Sequence, residues 1–216
     1  EYIPSERNTS WGDILVSSFP NREGVVSLEN SAFEFTVPYW GKILVVTTEF
    51  APRDEVLNWA KRLISMSQYQ NDKVIFMTHS FLIERTAKRI TSEGYALYPH
   101  NWGQDIWDKL VYPSKNIRLV ICGHTGKPGK FENSVAFRRD KNSIGKEVSQ
   151  MMFNVQILGG GWEGNGGDGW LRILEFMPDG QTIKVRTYSP LFGISPSTKY
   201  LAHRTGICDQ FDVVIK

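Results

Sequence analysis

The stretch Ile117–Gly126, IRLVICGHTG, decides the fold, because it predicts a buried strand that stops at a glycine and then presents a histidine. A short, continuous apolar run is typical of a strand covered on both faces. Gly123 allows a sharp turn or a close approach of the backbone to a ligand. Sites in open α/β sheets form beyond the carboxyl ends of the strands, so His124 lies where chemistry is usually found.

A second stretch, Lys73–His79 (KVIFMTH), has the same design of an apolar strand followed by a histidine. Two such strands in one sheet can bring the imidazoles of His79 and His124 together. Imidazole is a ligand for zinc, iron and similar transition metals. A single histidine is more often a core or loop residue, but two at matching strand ends predict a metal site.

Composition excludes several classes of protein. The chain has 216 residues, 22% of them charged, and a formal net charge of only +2, so it carries no electrostatic footprint for nucleic acid. No apolar run approaches the roughly twenty residues of a membrane span. The two cysteines cannot form a disulfide framework. We expect Cys122 to be a core residue and Cys208 to lie in a loop.

The first half of the chain predicts a βαβ unit. Residues 1–30 are polar and read mainly as loop, and alternation in residues 32–37 predicts a half-buried strand. A buried strand at 43–46 is followed by a helix that begins near Pro52 and fades near Gln68. The strand that starts at Lys73 comes next, which predicts a parallel pair.

The connection between residues 80 and 116 is long, and long loops over strand ends are often functional. It predicts one short helix through residues 82–90 and another through 106–111. His100 lies in the polar, aromatic loop between them, where it can reach a site, although an exposed loop histidine is the commoner case.

Closely spaced strands after His124 predict a second, mostly antiparallel sheet. They span residues 135–138, 151–158, 170–176 and 182–188, and the tail from Ser189 onward is expected to be irregular. The glycine-rich stretch 159–169 matches no phosphate-binding fingerprint. A tightly folded loop with unusual backbone angles is its default interpretation, and a phosphate cradle is the alternative.

Three features together resemble the carboxyl-terminal half of a calcineurin-like metallophosphoesterase. Thr78-His79 after an apolar strand is similar to the family's lone metal-binding histidine, and Cys122-Gly123-His124 to the start of its G-H-x-H motif. Residues 164–174 and 185–190 resemble segments of one bacterial branch. The likeness runs from about residue 30 to about residue 190.

The resemblance implies an α/β fold in which mixed sheets pack face to face with flanking helices, as part of an αββα sandwich. It implies chemistry by two divalent transition metal ions (Zn, Fe or Mn), which activate water and clamp the phosphoryl oxygens of a phosphoester substrate. By resemblance, His79 and His124 would both bind the second metal. The bacterial branch suggests an exported protein.

The departures from the family are equally specific. The D-x-H, G-D-x-x-D and G-N-H-[DE] motifs are absent from the 216 residues, so no catalytic residue is assigned. Asp13 follows Gly12 without a second Asp three residues later, and Gly126 occupies the second histidine position of G-H-x-H. We therefore expect one metallophosphoesterase-like domain over 1–216 that lacks its amino-terminal part, with Glu1 following an upstream Gly-Asn-His.

Two function hypotheses follow. The first is the carboxyl-terminal part of a metal-dependent phosphoesterase for phosphate mono- or diesters, active only when upstream motifs complete it. The alternative is a noncatalytic relative that binds a partner or glycan, which Gly126, the missing motifs and the seven tryptophans favour. Core packing is the default role of those tryptophans. An α/β domain with incidental histidines is the third interpretation.

Overall fold

A computed structural model describes residues 14–158 and 166–215. Within these ranges a seven-stranded mixed sheet has the order β1-β2-β3-β4-β5-β7-β6. Its strands are β1 (Leu15–Pro20), β2 (Val26–Val37), β3 (Gly41–Thr47), β4 (Lys73–Met77), β5 (Ile117–Cys122), β6 (Val135–Lys141) and β7 (Glu147–Phe153). Strands β3, β4, β5 and β7 are parallel to their neighbours in this group, whereas β1, β2 and β6 pair antiparallel. The predicted parallel pairing of the strands at 43–46 and 73–77 is confirmed.

A second, antiparallel sheet packs against the first. Its strands are β8 (Leu171–Phe176), β9 (Thr182–Tyr188), β10 (His203–Arg204) and β11 (Phe211–Val214), with β9 pairing to the other three. Ile183 and Val185 of β9 are fully buried, while the alternating Lys184 and Arg186 point to the wetter face.

The described residues form three α-helices, of which the first two pack on the opposite face of the main sheet. They are α1 (Asp54–Ile64), α2 (Gly103–Ile106), which continues as a π-helix (Trp107–Val111), and α3 (Pro190–Ile194). Single 3₁₀ turns lie at Phe131–Ser134 and Lys199–Leu201, and Gly166–Gly169 forms a tight left-handed turn. Helix α1 has Asp54 and Glu55 in its first turn, where they complement the helix dipole. Its apolar face, including Val56, Leu57 and Leu63, is buried against the sheet.

Two hydrophobic cores hold the layers together. The first lies between α1, the π-helix and the main sheet, and contains Leu44, Phe76 and Val120. The second lies between the two sheets, where Leu119 of β5 packs near Ile183 of β9. Burial of side chains of this size stabilises the fold by about 1.5–3 kcal/mol each. The predicted fold class, α/β with a mixed sheet, a second sheet and flanking helices, is confirmed.

The expectation that residues 1–30 are mainly loop is wrong for the part that the structure describes. Strand β1 and the start of β2 occupy most of residues 14–30. The serines of β1 interrupt the apolar alternation that would predict a strand. Val16 and Phe19 nevertheless pack against the first core, and Ser17 accepts a hydrogen bond from Trp59.

The predicted helix at 82–90 is also absent from the structure. The segment forms an irregular loop with one bridge between Leu82 and Arg89. Its backbone bonds within the segment, where Ile83 N–H donates to Lys88 O, and also to β6. Arg85 N–H donates to Val135 O, and the guanidinium of Arg138 donates to Ala87 O. Arg85 and Ala87 adopt left-handed backbone angles that interrupt a helix.

Two further boundaries differ. The strand predicted at 151–158 begins earlier and ends at Phe153, because Asn154 turns away to bond the loop after β5. The prediction that this strand and the one at 135–138 belong to the second sheet is wrong, because β7 pairs parallel with β5 in the main sheet and β6 pairs with β7. The tail expected to be irregular contains α3, β10 and β11, and Val213 of β11 is buried in the second core. No helix in residues 14–158 or 166–215 is long and apolar enough to cross a membrane.

Candidate metal-binding cleft

An open cleft of about 1280 Å³ lies at the carboxyl ends of the central parallel strands. Strand β3 ends just before Phe50, β4 just before His79, and β5 just before His124, and all three side chains line the cleft. The two histidines that the sequence singled out are thus neighbours in the structure, with ring centroids 4.8 Å apart. Their adjacency follows from the parallel pairing of β4 and β5.

Aromatic rings surround the two imidazoles. The ring centroid of Phe50 lies 5.4 Å from that of His79 and 4.9 Å from that of His124. The Tyr95 ring lies 5.6 Å from the His124 ring and 5.1 Å from the Phe50 ring. These contacts restrict the orientation of both imidazoles, while His79 stays exposed to the cleft.

The loop after β5 is held in an uncommon conformation. Gly123 N–H donates to His79 O at 2.9 Å, which extends the contact between β4 and β5 beyond the strand ends. His124 has φ = 68°, a left-handed value that is rare for residues other than glycine. The Asn154 amide fixes this turn by donating to His124 O at 2.6 Å and to Thr125 O at 3.2 Å. Backbone strain that is held in place in this way clusters at functional sites.

Glu93 approaches the histidine pair from the long connection. Its Oε1 accepts a hydrogen bond from Ser80 Oγ at 2.5 Å, and its Oε2 lies 2.9 Å from His124 Nε2. The second approach does not meet hydrogen-bond geometry, so Oε2 is a buried oxygen without a hydrogen-bond partner. Thr48 Oγ1, also on the cleft wall, is a second such oxygen. Unsatisfied buried oxygens fit an ordered water or a cation that approaches from the cleft.

The charge of the cleft is negative. Five glutamates and two cations line it. Glu49 is neutralised by Arg53 at 2.9 Å, and Glu84 by Lys127 at 3.0 Å. In the described part of the chain, the one ion-pair partner of Glu93 is His124. The excess of carboxylates makes the cleft more favourable for a cation than for an anion.

The two imidazoles suit a transition metal, but they do not complete a site. Burial lowers the pKa of His79, as does the nearby His124, and Glu93 acts in the opposite direction. The neutral form that metals require is thereby favoured at neutral pH. Among residues 14–158 and 166–215, no group of three or more His, Cys, Asp or Glu side chains could hold a metal ion. His79 and His124 therefore supply only part of a ligand set.

Gly126 lies on the cleft wall beside Asn154. A Cβ atom built on it would lie 3.3 Å from Asn154 O and 3.6 Å from Asn133 O. A histidine at this position would therefore require the backbone near Asn154 to move by a few tenths of an ångström.

Other positions considered in the sequence lie elsewhere. His100 does not line the cleft; its Nδ1 lies 2.5 Å from Leu97 O and its ring packs on Trp102. Gly166–Gly169 forms a tight turn with positive φ at all four residues, as the default interpretation of the glycine-rich stretch requires. The rest of that stretch, together with Glu1 and Asp13, lies outside the described residues. Cys122 is buried and Cys208 partly buried, and both are free thiols.

Sequence reasoning missed four residues of the cleft: Phe50, Glu93, Tyr95 and Asn154. Phe50 could have been found, because it follows a buried strand by the same rule that selected the two histidines. Glu93 and Asn154 are 31 and 30 positions from His124 in the chain, and nothing in their local sequence signals contact with it.

Comparison with known proteins does not assign the chain to a family: no protein-family model matches it, and no curated protein matches it.

Proposed function

We propose that this chain is the carboxyl-terminal part of a metal-dependent phosphoesterase that hydrolyses phosphate mono- or diesters, with His79 and His124 as ligands of a divalent transition metal ion. The observation that carries the proposal is the adjacency of two imidazoles, 4.8 Å apart, in an acidic cleft at the carboxyl ends of parallel strands. The motif resemblance of Thr78-His79 and Cys122-Gly123-His124 supports the same reading.

The charge of the cleft supports a metal-dependent reaction in particular. A phosphoester carries negative charge, and the glutamates that line the cleft would repel it. A divalent metal in such a site supplies an activated water and neutralises the phosphoryl oxygens. The acidic lining is therefore compatible with this substrate only when the cation is present.

The residues of the chain itself have separate roles in this proposal. His79 and His124 hold the cation, and the Asn154 amide fixes the turn that presents His124. Phe50 and Tyr95 form a wall that limits rotation of the rings. Glu93 adds negative charge beside His124, which favours a cation at that imidazole.

The experiment is hydrolysis of p-nitrophenyl phosphate and bis(p-nitrophenyl) phosphate by the natural protein, including any residues encoded before Glu1, with added Mn²⁺ or Zn²⁺. We expect His79→Ala and His124→Ala each to lower kcat/KM by about 100-fold or more, because each removes a ligand. His203→Ala is the matched control, since His203 is exposed on β10 and packs on Tyr188. Equal rates for all three variants would overturn the proposal.

The second candidate is a noncatalytic binding domain. Gly126 at the second histidine position favours it, as does the lack of a three-donor group in the described part of the chain. Among the described tryptophans, Trp40, Trp59, Trp102 and Trp107 are buried, in keeping with core packing, and Trp170 is partly buried. A folded natural protein that hydrolyses neither ester with any added metal would favour binding over catalysis.

A further inference from the structure

A second pocket, of about 300 Å³, lies at the opposite edge of the main sheet from the histidine cleft. Its charged lining consists of Lys73, Lys115, Arg118, Lys146 and Asp72. Strands β4 and β5 begin here, at Lys73 and Ile117, whereas the histidines follow their other ends. The pocket is thus separated from the cleft by the length of the parallel strands, and its interpretation does not depend on the proposed function.

A β-bulge directs Arg118 into this pocket. In the ladder between β4 and β5, Val74 pairs with Ile117 and the next residue, Ile75, pairs with Leu119, so Arg118 is the extra residue. The bulge also lets Ile117 pack in the first core and Leu119 in the second. Bulges commonly re-aim a side chain in this way.

Arg118 is buried without an anionic partner in the described part of the chain. Its exposed fraction is only 7%, and its one hydrogen bond runs from Nη1 to Ile117 O at 3.1 Å. Burial lowers the pKa of Arg118, and no neighbouring carboxylate opposes that effect. Buried arginines are normally paired, because a desolvated guanidinium is costly. An anion from solution would supply the missing partner.

The remaining charges favour the same occupant. Lys115 and Lys146 are exposed at the rim, and Lys73 is held by its hydrogen bond to Trp40 O at 3.0 Å and by the Trp40 ring. Asp72 is the single acid of the lining, and burial and Glu34 raise the pKa of its carboxyl while Lys42 opposes them. Four cations against one acid give the pocket a positive potential.

We propose that this pocket is a binding site for a phosphate dianion, either the free ion or the phosphoryl group of a small metabolite, with Arg118 as its central donor. The planar guanidinium donates two parallel hydrogen bonds to phosphate oxygens, and the lysines add charge. The volume leaves room for a small organic group beside the phosphate.

The test is isothermal titration of the natural protein with inorganic phosphate and with glycerol 3-phosphate at low ionic strength, with EDTA present. Removal of metal leaves the histidine cleft acidic and unfavourable for phosphate, so the titration reports on this pocket. We expect saturable binding of one anion per chain. Tighter binding of inorganic phosphate indicates the free ion as the occupant, and tighter binding of glycerol 3-phosphate indicates a phosphorylated metabolite.

Arg118→Met should weaken binding by about tenfold or more, because it removes the forked donor. Arg139→Met is the matched control, since Arg139 is an exposed arginine paired with Glu147 on the same sheet, and it should leave the affinity unchanged. The double variant Lys115→Gln/Lys146→Gln alters only exposed residues, so it tests the site even if Arg118→Met fails to fold, and it should weaken binding several-fold.

The proposal is overturned if neither anion shows saturable binding up to about 10 mM. It is also overturned if binding occurs but is unaffected by both the Arg118 variant and the double lysine variant. Loss of hydrolytic activity in the histidine variants has no bearing on this result, so the two proposals fail separately.

Discussion

His124 combines a left-handed backbone with a side chain that faces an acidic cleft. Its φ of 68° is maintained by the Asn154 amide, which bonds the two carbonyls of the turn. Gly123 allows the strand to end there, as its sequence predicted, but the sequence offered no reason to expect the role of Asn154. The contact that fixes the turn arises because β5 and β7 are neighbours in the sheet.

Glu93 provides the sharpest single-residue prediction. Oε2 of Glu93 lies 2.9 Å from His124 Nε2. Glu93→Gln removes the negative charge there, while it preserves the size of the side chain and its contact with Ser80. We expect the affinity of the protein for Zn²⁺, measured by calorimetric titration, to fall by about tenfold. Glu132→Gln, which alters a carboxylate paired with Arg204, is the control. Equal affinities for the two variants would contradict this role.

The thiols provide a second residue-scale prediction. Burial raises the pKa of Cys122 to about 12, despite backbone hydrogen bonds that act to lower it, so almost no thiolate exists at pH 8. Cys208 is only partly buried. We expect iodoacetamide at pH 8 to add at most one group to the native protein and two after denaturation in urea, as measured by intact mass. Two rapid additions to the native protein would show that Cys122 is accessible.

At the scale of elements, periodicity predicted the regular parts well. The amphipathic pattern of α1 and the apolar runs of β4 and β5 reflect which faces are buried, and the structure has each where the pattern placed it. The helix predicted at 82–90 is absent because contacts with β6 and left-handed angles at Arg85 and Ala87 hold the segment as an irregular loop. Local pattern carries no information about such distant partners.

The start of α2 depends on this irregular loop. Phe81 O and Ile90 N approach Gly103 so closely that a Cβ atom there would lie 2.0 Å from Phe81 O. We expect Gly103→Ala to lower the free energy of unfolding in urea by about 2 kcal/mol or more, because backbone atoms must move to admit the methyl group.

Gly94→Ala is the control for this substitution, because nothing lies within 4 Å of a Cβ atom at Gly94. It should change the free energy of unfolding by less than about 0.5 kcal/mol. If Gly103→Ala unfolds at the same urea concentration as the unaltered protein, the close packing of α2 on the loop is not a constraint on the fold.

At the scale of the whole molecule, the parallel strands create two chemically different edges. Their carboxyl ends form an acidic cleft with two imidazoles, and their amino ends form a basic pocket around Arg118. The sequence predicted the pair of imidazoles at the first edge, because a histidine after an apolar strand is a local pattern, but not the acidic lining around them. It did not predict the basic pocket, because a single arginine within the strand Ile117–Cys122 gives no sign of the bulge that directs it into that pocket.

The central claim is that His79 and His124 bind one divalent metal ion together, and calorimetric titration of the natural protein with Zn²⁺ tests it most directly. We predict saturable binding that is weakened by about tenfold or more in both His79→Ala and His124→Ala, because each imidazole supplies a ligand, and that is unchanged in His203→Ala. Binding that is absent, or that is equally strong in all three variants, would contradict the claim.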